Sequence, residues 1–181
     1  MLKVFPWIER SFQFDSPRWM YPNLVERIRG GPARVEDAAR DVPLSLMTKR
    51  EGTSWSIQEN IGHLLDIEPL MLGRLDDFRQ KLPQLRAWEE TNGATWEANH
   101  NAQPLQELLA GFRSARSTLV ERFDSLDNSL IEQAAFHPRL KRPMRIIDLV
   151  YFIAEHDDYH LAKISAIKQQ EWGSRPRGET F

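Results

Sequence analysis

A capping motif followed by a long apolar stripe is the feature that most constrains the fold of this chain. Ser56-Ile57-Gln58-Glu59 fits a capping box, in which the Ser56 hydroxyl and the Glu59 carboxylate satisfy backbone N–H groups at a helix start. Pro69 lies inside the stripe and removes one backbone hydrogen bond, so we expect a bend there rather than a break. The spacing predicts a long helix from Ile57 to about Pro83, with its main apolar row at Ile57, Ile61, Leu64, Leu65, Leu72 and Leu75.

Other segments of the chain carry helix signals of the same kind. N-capping residues, first-turn prolines and glycine or proline stops predict two short helices, over about 16–30 and 32–43. Apolar residues at helical spacing predict a long helix over 105–126, and Pro143 fits the first turn of another that ends at about Gln169. Because no segment shows sustained period-two alternation, the sequence predicts an all-α protein.

Length and composition limit the chemistry that this chain can perform. The 181 residues favour a single domain over residues 1–181. The chain has no cysteine, so a metal site has no thiolate ligand and must use histidine or carboxylate side chains. A formal net charge of -2 gives no basic footprint for binding nucleic acid.

Neither a membrane span nor a signal peptide is expected. The most apolar stretch, residues 146–154, is far shorter than the roughly 20 residues that a membrane-spanning helix needs. Near the N-terminus, Pro6, Glu9 and Arg10 interrupt the chain before an apolar signal core could form. We therefore expect a cytoplasmic protein with no membrane or nucleic-acid partner.

Histidines replace apolar residues on the seam of the last predicted helix. His156 and His160 are one turn apart on the same helix face, so both rings can reach one metal ion. His63 falls among apolar residues of the long helix, and a third ligand there would leave open positions for water or substrate. The alternative is that all three are hydrogen-bonded core histidines without a metal. A zincin-type site is disfavoured, because Asp157 stands where the catalytic glutamate should be.

Two segments resemble a known family. The segment Trp55–Asp66, with the sequence WSIQENIGHLLD, is similar to the W-S-x-x-E-x-x-x-H-L signature of the DinB/YfiT superfamily. The segment Glu155–Ile164 resembles that family's final helix, in which H-x-x-x-H supplies two metal ligands, and the likeness covers roughly residues 20–170. The resemblance implies a four-helix bundle, commonly homodimeric, with one divalent metal ion held by His63, His156 and His160.

The resemblance is less definite about the reaction. Relatives include thiol-dependent transferases and isomerases that use bacillithiol or mycothiol, and others are proposed metal-dependent hydrolases. We expect an S-transferase that binds Zn²⁺ or Ni²⁺, a small-molecule substrate and a low-molecular-weight thiol as cosubstrate. The alternatives are a metal-dependent hydrolase and a noncatalytic, stress-related metal-binding bundle. No catalytic residue follows from the sequence.

Charged residues beside the expected ligands are candidates for orienting them or binding substrate. Four carboxylates are candidates for accepting a hydrogen bond from a ligand imidazole, with Asp66 and Asp157 favoured over the other two; the four are Asp66, Glu68, Glu155 and Asp157. A basic cluster predicts either an anion-binding loop or a solvated one; it consists of Arg139, Lys141, Arg142 and Arg145. His100 and His137 are expected in surface or loop positions rather than as ligands, and His137, which lies in a segment that resembles the family, could approach the site.

Overall fold

The computed structural model of the chain describes residues 3–173. Residues 1–2 and 174–181, which the expected 1–181 domain includes, lie outside the described residues. The named elements of the described part are α1 Tyr21–Arg29, α2 Gly31–Ala39, α3 Leu44–Met47, α4 Ile57–Arg79, α5 Gly93–Glu97, α6 Leu105–Asp124, β1 Ala134–His137, β2 Arg142–Arg145 and α7 Ile146–Gly173. Short 3₁₀ turns lie at Trp7–Glu9, Arg18–Met20, His100–Ala102 and Asn128–Leu130.

Four helical segments pack around a shared core. The α1–α2 segment contacts both α6 and α7, and α4 contacts the same two helices. This is the predicted all-α, four-helix bundle, and the fold class is confirmed. None of the helices within residues 3–173 is long and apolar enough to cross a membrane.

The predicted capping box starts the long helix α4. The Ser56 hydroxyl accepts a hydrogen bond from the Glu59 backbone N–H at 3.1 Å, and the Glu59 carboxylate accepts one from the Ser56 N–H at 2.9 Å. Arg50 forms an ion pair with the same carboxylate. The helix continues through Pro69 and ends at Arg79, so the prediction of one long helix is confirmed.

The start of the last helix was predicted wrongly. Pro143 lies in β2, where it pairs with Phe136 of β1 in a short antiparallel hairpin. Helix α7 begins only at Ile146, because the Asp148 carboxylate accepts a hydrogen bond from the Arg145 backbone N–H at 2.9 Å and so caps the first turn. Two strands of four residues are too short to show an alternating pattern that the sequence could reveal.

A polar layer divides the buried core into two apolar clusters. The first cluster contains the middle and C-terminal part of α4 and the start of α7. The second contains α2, α3 and the N-terminal part of α4. Buried polar side chains of α4, α6 and α7 lie at the boundary, and they are His63, Glu68, Arg116, His156, Asp157 and His160. Polar groups at this depth are stable only when they have partners, and those partners define the site.

Candidate metal centre

Three histidines from two helices form one buried cluster. His63 lies on α4, and His156 and His160 lie one turn apart on α7. Their exposed fractions are only 5%, 5% and 3%. One ring nitrogen from each lies within 4.8 Å of the others. The structure thus brings together all three predicted ligands.

The hydrogen bond of His160 to Asn60 fixes which of its nitrogens carries a proton. Asn60 Nδ2 donates to the Ser56 carbonyl at 2.7 Å, so its Oδ1 is the acceptor that faces His160 Nδ1 at 2.9 Å. His160 Nδ1 must therefore carry the hydrogen. In the neutral ring Nε2 then has a free lone pair, and it lies 3.3 Å from His156 Nε2.

A relay through a hydroxyl fixes His63 in the same way. Thr95 Oγ1 donates to the Asp66 carboxylate at 2.7 Å, so the hydroxyl oxygen accepts from His63 Nδ1 at 3.0 Å. This assigns the proton to Nδ1 and leaves Nε2 of His63 as a lone-pair donor. Hydrogen bonds of this kind from the non-ligating nitrogen are typical of metal-binding imidazoles, because they set the tautomer and the ring orientation.

The donor set fits a divalent ion. Burial lowers the pKa of His63 to about 4, against a smaller upward effect of Asp66, and it lowers the pKa of His156 and His160 well below 6.5. All three rings are therefore neutral near pH 7, the form that binds metal. Nitrogens bound at about 2.0–2.1 Å to one tetrahedral ion lie roughly 3.3 Å apart, which matches the His156–His160 separation of 3.3 Å.

Aromatic rings and a cavity surround the cluster. Trp55 packs on His63 with ring centroids 4.7 Å apart, and Trp7 packs edge-on against His156 at 4.9 Å. The three histidines line a cavity of about 310 Å³ whose other walls are largely apolar. A pocket of this size beside convergent polar donors is a usual arrangement for a small-molecule site.

None of the four candidate carboxylates accepts a hydrogen bond directly from a ligand imidazole, and Asp66 alone reaches one through a hydroxyl. Asp66 acts on His63 through Thr95 and also binds His100 Nε2 at 2.8 Å. The prediction is wrong for Glu68 and Asp157, which instead bind the buried Arg116 guanidinium at 2.6 and 2.5 Å.

The prediction that a carboxylate orients a ligand is also wrong for Glu155, which forms an ion pair with Arg27 on α1 at 2.7 Å. These three carboxylates lie near the ligands in sequence, but their side chains are bound to arginines of other helices. Their electrostatic role is therefore to hold the bundle together rather than to orient an imidazole.

Two histidines expected at the surface are buried. His100 is 2% exposed and binds Asp66, and His137 is 1% exposed and lines the cavity. The expectation of a surface position was wrong because both loops fold back onto α4 and α7. His137 approaches the site as expected, and neither residue belongs to the three-histidine cluster. Asn60 and Thr95 were not recognised as partners of the ligands. Asn60 stands in the same motif as His63, whereas Thr95 lies far away in a connection that carries no such signal.

The basic cluster is dispersed in the structure. Arg142 donates to the Phe12 carbonyl at 2.7 Å, and Arg145 binds Asp148 at 2.8 Å. Lys141 is exposed in the hairpin turn. Among the four, only Arg139 lines the cavity. The single anion-binding loop considered from the sequence is therefore not formed, because two of its cations serve structural contacts.

Fold and site define the class to which the protein belongs: a four-helix bundle with three buried histidines at the wall of a small cavity. The profile of the DinB superfamily matches residues 27–164 of the chain. The protein therefore belongs to the DinB superfamily, and the resemblance seen in its motifs is confirmed. A comparison with curated proteins found no match.

Solved structures share the fold at low sequence identity. YfiT from Bacillus subtilis, described as a probable metal-dependent hydrolase with an unusual four-helix bundle topology, superposes with a TM-score of 0.77 at 15% identity, over 91% of this chain and 94% of YfiT. A protein from Streptococcus pneumoniae gives 0.63 at 15% identity, over 88% of this chain and 93% of its own. An uncharacterized protein from Clostridium difficile 630 gives 0.63 at 15% identity, over 88% and 98%.

Proposed function

We propose that this chain is a metal-dependent enzyme that acts on a small-molecule substrate, with one divalent ion held by His63, His156 and His160. The observation that carries the proposal is the convergence of three neutral imidazoles, two with their tautomer fixed by Asn60 and Thr95, at the wall of a cavity of about 310 Å³. A bound divalent ion supplies Lewis acidity, which lowers the pKa of a thiol or water that reaches it. The chain's own residues hold the ligands, exclude bulk solvent and shape the space for the substrate.

The ligand set favours a first-row divalent ion, and Zn²⁺ or Ni²⁺ is the ion that we propose. Imidazole nitrogens suit several first-row divalent ions, whereas Mg²⁺ and Ca²⁺ prefer oxygen ligands. A site with three protein ligands leaves a position for substrate, unlike the closed four-ligand sites of structural zinc. The choice between the two ions depends on availability as much as on affinity.

Thiol-dependent S-transfer is the reaction that the cavity favours. Within the part of the chain that the structure describes, no aspartate or glutamate lines the cavity, so no carboxylate is placed there as a general base. A nucleophile that ionises readily, such as an added low-molecular-weight thiol, needs such a base less than water does. The thiol must come from outside, because the chain has no cysteine.

Metal-dependent hydrolysis is the second candidate. YfiT, which shares the fold at a TM-score of 0.77, is described as a probable hydrolase of this kind. In that reaction Tyr159 or His137, which both line the cavity, would serve as hydrogen-bond donors to the substrate. The two candidates use the same ligands and differ in which nucleophile enters the cavity.

Metal content tests the first step of this proposal. Elemental analysis of untagged protein should find about one Zn²⁺ or Ni²⁺ per chain, and His156→Ala and His160→Ala should both lose it. His137→Asn is the matched control, because this cavity histidine lies outside the three-histidine cluster and its substitution should leave the metal content unchanged. Wild-type protein without metal after incubation with either ion would overturn the metal site.

Turnover assays then separate the candidate reactions. The metal-loaded protein is tested with bacillithiol or mycothiol plus an activated alkyl halide, and in parallel with activated esters and amides. Consumption of the alkyl halide that requires the thiol and is lost in His156→Ala supports S-transfer. Cleavage of an ester or amide without the thiol supports hydrolysis. Bound metal with neither activity would indicate the noncatalytic bundle instead.

A further inference from the structure

Besides the three histidines, three further polar residues line the cavity, and the proposed metal site does not use them. Arg74 of α4, His137 at the end of β1 and Arg139 of the hairpin turn all line it together with the three-histidine cluster. Two of these side chains are permanent cations and the third is a hydrogen-bond donor. Their contacts inside the protein leave much of this capacity unsatisfied.

Arg74 lacks an ion-pair partner among the described residues. It is 1% exposed, and its Nε donates to the Arg86 carbonyl at 3.2 Å. The Asp77 carboxylate, whose field reaches Arg74, is bound instead by the Arg86 guanidinium at 2.7 Å and by the Arg86 backbone N–H at 2.8 Å. A buried guanidinium without a carboxylate is unusual, since burying a charge is costly unless it is paired.

Arg139 also lacks an ion-pair partner among the described residues. Its guanidinium lies over the rings of Trp7 and Phe152, at 5.8 and 5.6 Å from their centroids, and Nη1 makes a long contact of 3.4 Å with the Ile8 carbonyl. The Nη2 atom is buried and has no hydrogen-bond partner within residues 3–173. The aromatic contacts hold the guanidinium at the cavity wall, and neither they nor the Ile8 carbonyl supply an acceptor for Nη2.

His137 offers a hydrogen-bond donor whose tautomer is fixed. Its Nδ1 accepts a hydrogen bond from the Leu140 backbone N–H at 3.3 Å, which assigns the proton to Nε2 in the neutral ring. That Nε2–H is buried and, in the part of the chain described, has no acceptor. An unsatisfied buried donor costs about 1–3 kcal/mol, so its presence in a cavity wall calls for a partner that the protein itself does not supply.

The two arginines repel each other, and their charges keep His137 neutral. Burial and the charge of Arg139 lower the pKa of Arg74 to about 10, and burial together with both arginines lowers the pKa of His137 to about 3. The cavity wall offers no carboxylate in the described residues to offset these charges. An anion in the cavity would pair with both cations and accept from the Nε2–H.

We propose that Arg74, Arg139 and His137 bind an anionic group of the substrate. This inference rests on the proposed function, which puts the substrate in this cavity. This group is a carboxylate or a phosphate, and the apolar remainder of the molecule packs against the aromatic wall that includes Trp7 and Phe152. The anion anchors one end of the molecule while the reacting end faces the three-histidine cluster. The substrate class is thus a small organic acid or phosphate ester with an apolar body.

Calorimetric titration of metal-free protein tests this subsite directly. The probes are phenylacetate, phenyl phosphate and the neutral phenylacetamide, and comparing the first two separates carboxylate from phosphate recognition. We expect at least one anion to bind 10-fold or more tightly than the amide. Arg139→Gln should abolish that preference and leave amide binding unchanged. Lys141→Gln, which removes an exposed cation from the same turn, is the matched control and should behave as wild type.

Arg74→Gln and His137→Asn test the other two residues of the subsite in the same titrations. Arg79→Gln is the control for Arg74→Gln, because Arg79 is an exposed arginine of the same helix, α4. Arg74 is fully buried, so circular dichroism must first show that its variant folds. If the Arg74 variant does not fold, the result for Arg139→Gln decides the test. Equal affinities for anion and amide, or an anion affinity unaffected by Arg139→Gln, would overturn the subsite. These titrations need no metal, so their result is independent of the elemental analysis. If the protein binds the anion but never binds a metal ion, the proposed function is wrong and the anion subsite is still supported.

Discussion

At Thr95, one hydroxyl joins a candidate ligand to a carboxylate. It accepts from His63 and donates to Asp66, so it sets the tautomer that points Nε2 of His63 toward the other two histidines. We expect Thr95→Val, which keeps the shape and removes the oxygen, to weaken metal binding by about 10–100-fold, the usual effect of removing such a partner. Competition with a chromogenic chelator measures the change in Kd.

Thr95→Ser is the control for that substitution. Serine keeps the hydroxyl and loses one methyl group, so the Kd for Zn²⁺ or Ni²⁺ should stay close to that of wild type. A Thr95→Val protein with unchanged metal affinity would show that the relay does not orient His63.

Arg116 is the cation shared by two buried carboxylates, and its removal should be severe. It is 1% exposed and bonds to Glu68 at 2.6 Å, Asp157 at 2.5 Å and the Ile28 carbonyl at 3.0 Å. Arg116→Met leaves both carboxylates buried without a cation, so we expect the free energy of unfolding to fall by about 3–5 kcal/mol. Urea denaturation at pH 7 measures this loss.

Arg113→Met is the matched control on the same helix. Arg113 pairs with Glu36 at 2.6 Å, but both side chains are more than one third exposed, at 49% and 37%. Loss of an exposed pair changes the free energy of unfolding by less than about 1 kcal/mol. Equal effects of the two substitutions would contradict the view that burial makes the Arg116 network important.

Acid stability should depend on His137. Burial, and then Arg74 and Arg139, lower its pKa in the folded protein to about 3, whereas it is near 6.5 in the unfolded chain. Between these values only the unfolded chain takes up the proton, so stability is lost as the pH falls. From pH 6.5 to 4.5 this one residue should account for a loss of about 2 kcal/mol.

The test compares metal-free wild type with His137→Asn. Asparagine keeps an acceptor for the Leu140 N–H and removes the titrating ring. The variant should show a shallower fall in the free energy of unfolding between pH 6.5 and 4.5, measured by urea denaturation. Parallel declines would mean that His137 is not kept neutral by its surroundings.

Spacing along the chain could identify the ligands but not their partners. His156 and His160 share a helix face because they are four residues apart, and the motif around His63 supplied the third candidate. The pairing of Arg116 with Glu68 and Asp157 joins residues 48 and 41 positions apart on different helices. Periodicity within one helix holds no information on which side chains of another helix it meets, so such contacts could not be predicted.

At the scale of the element, Gly62 permits the close approach of His100 to α4. A methyl group at this position would overlap the His100 ring, whose Nε2 binds Asp66 at 2.8 Å. Glycine inside a helix usually costs about 1 kcal/mol relative to alanine. Here we expect the opposite, a loss of about 1–3 kcal/mol of unfolding free energy in Gly62→Ala, because the 3₁₀ turn that carries His100 must shift.

Gly111→Ala of α6 provides the comparison. Its added carbon would meet only the end of the Leu65 side chain, at 3.1 Å, and that side chain can rotate away. The unfolding free energy should stay constant or rise by up to about 1 kcal/mol. Thermal and urea denaturation of both variants decide the matter, and a Gly62→Ala protein more stable than wild type would refute the close-packing explanation.

Elements were predictable where their signals are repeated. The capping box and the apolar spacing from Ile57 to Leu75 indicated α4, and the same periodicity indicated α6. The hairpin was not predictable, because its strands have four residues each and Pro143 is equally typical of a helix start. The decisive contact, between Arg145 N–H and Asp148, involves a carboxylate that also fits an ordinary position in the first turn of a helix.

At the scale of the whole molecule, the polar layer separates functions within one bundle. The apolar clusters on either side supply the hydrophobic stability, since they contain most of the buried aliphatic and aromatic side chains. The layer between them contains His63 of α4 and both histidines of α7. The homodimer expected from the family stays a prediction.

A metal ion that joins α4 to α7 should stabilise the entire fold. Binding to the folded state alone adds about 2.7 kcal/mol at a free metal concentration 100-fold above Kd. For a chain of this size each kcal/mol shifts Tm by about 2–4 °C, so calorimetry should show a rise of roughly 5–11 °C with Zn²⁺ or Ni²⁺. His156→Ala should show no rise, while Lys141→Gln should match wild type. A shift that survives His156→Ala would place the ion elsewhere, because the two nitrogens 3.3 Å apart on α7 would then not both be needed to hold it.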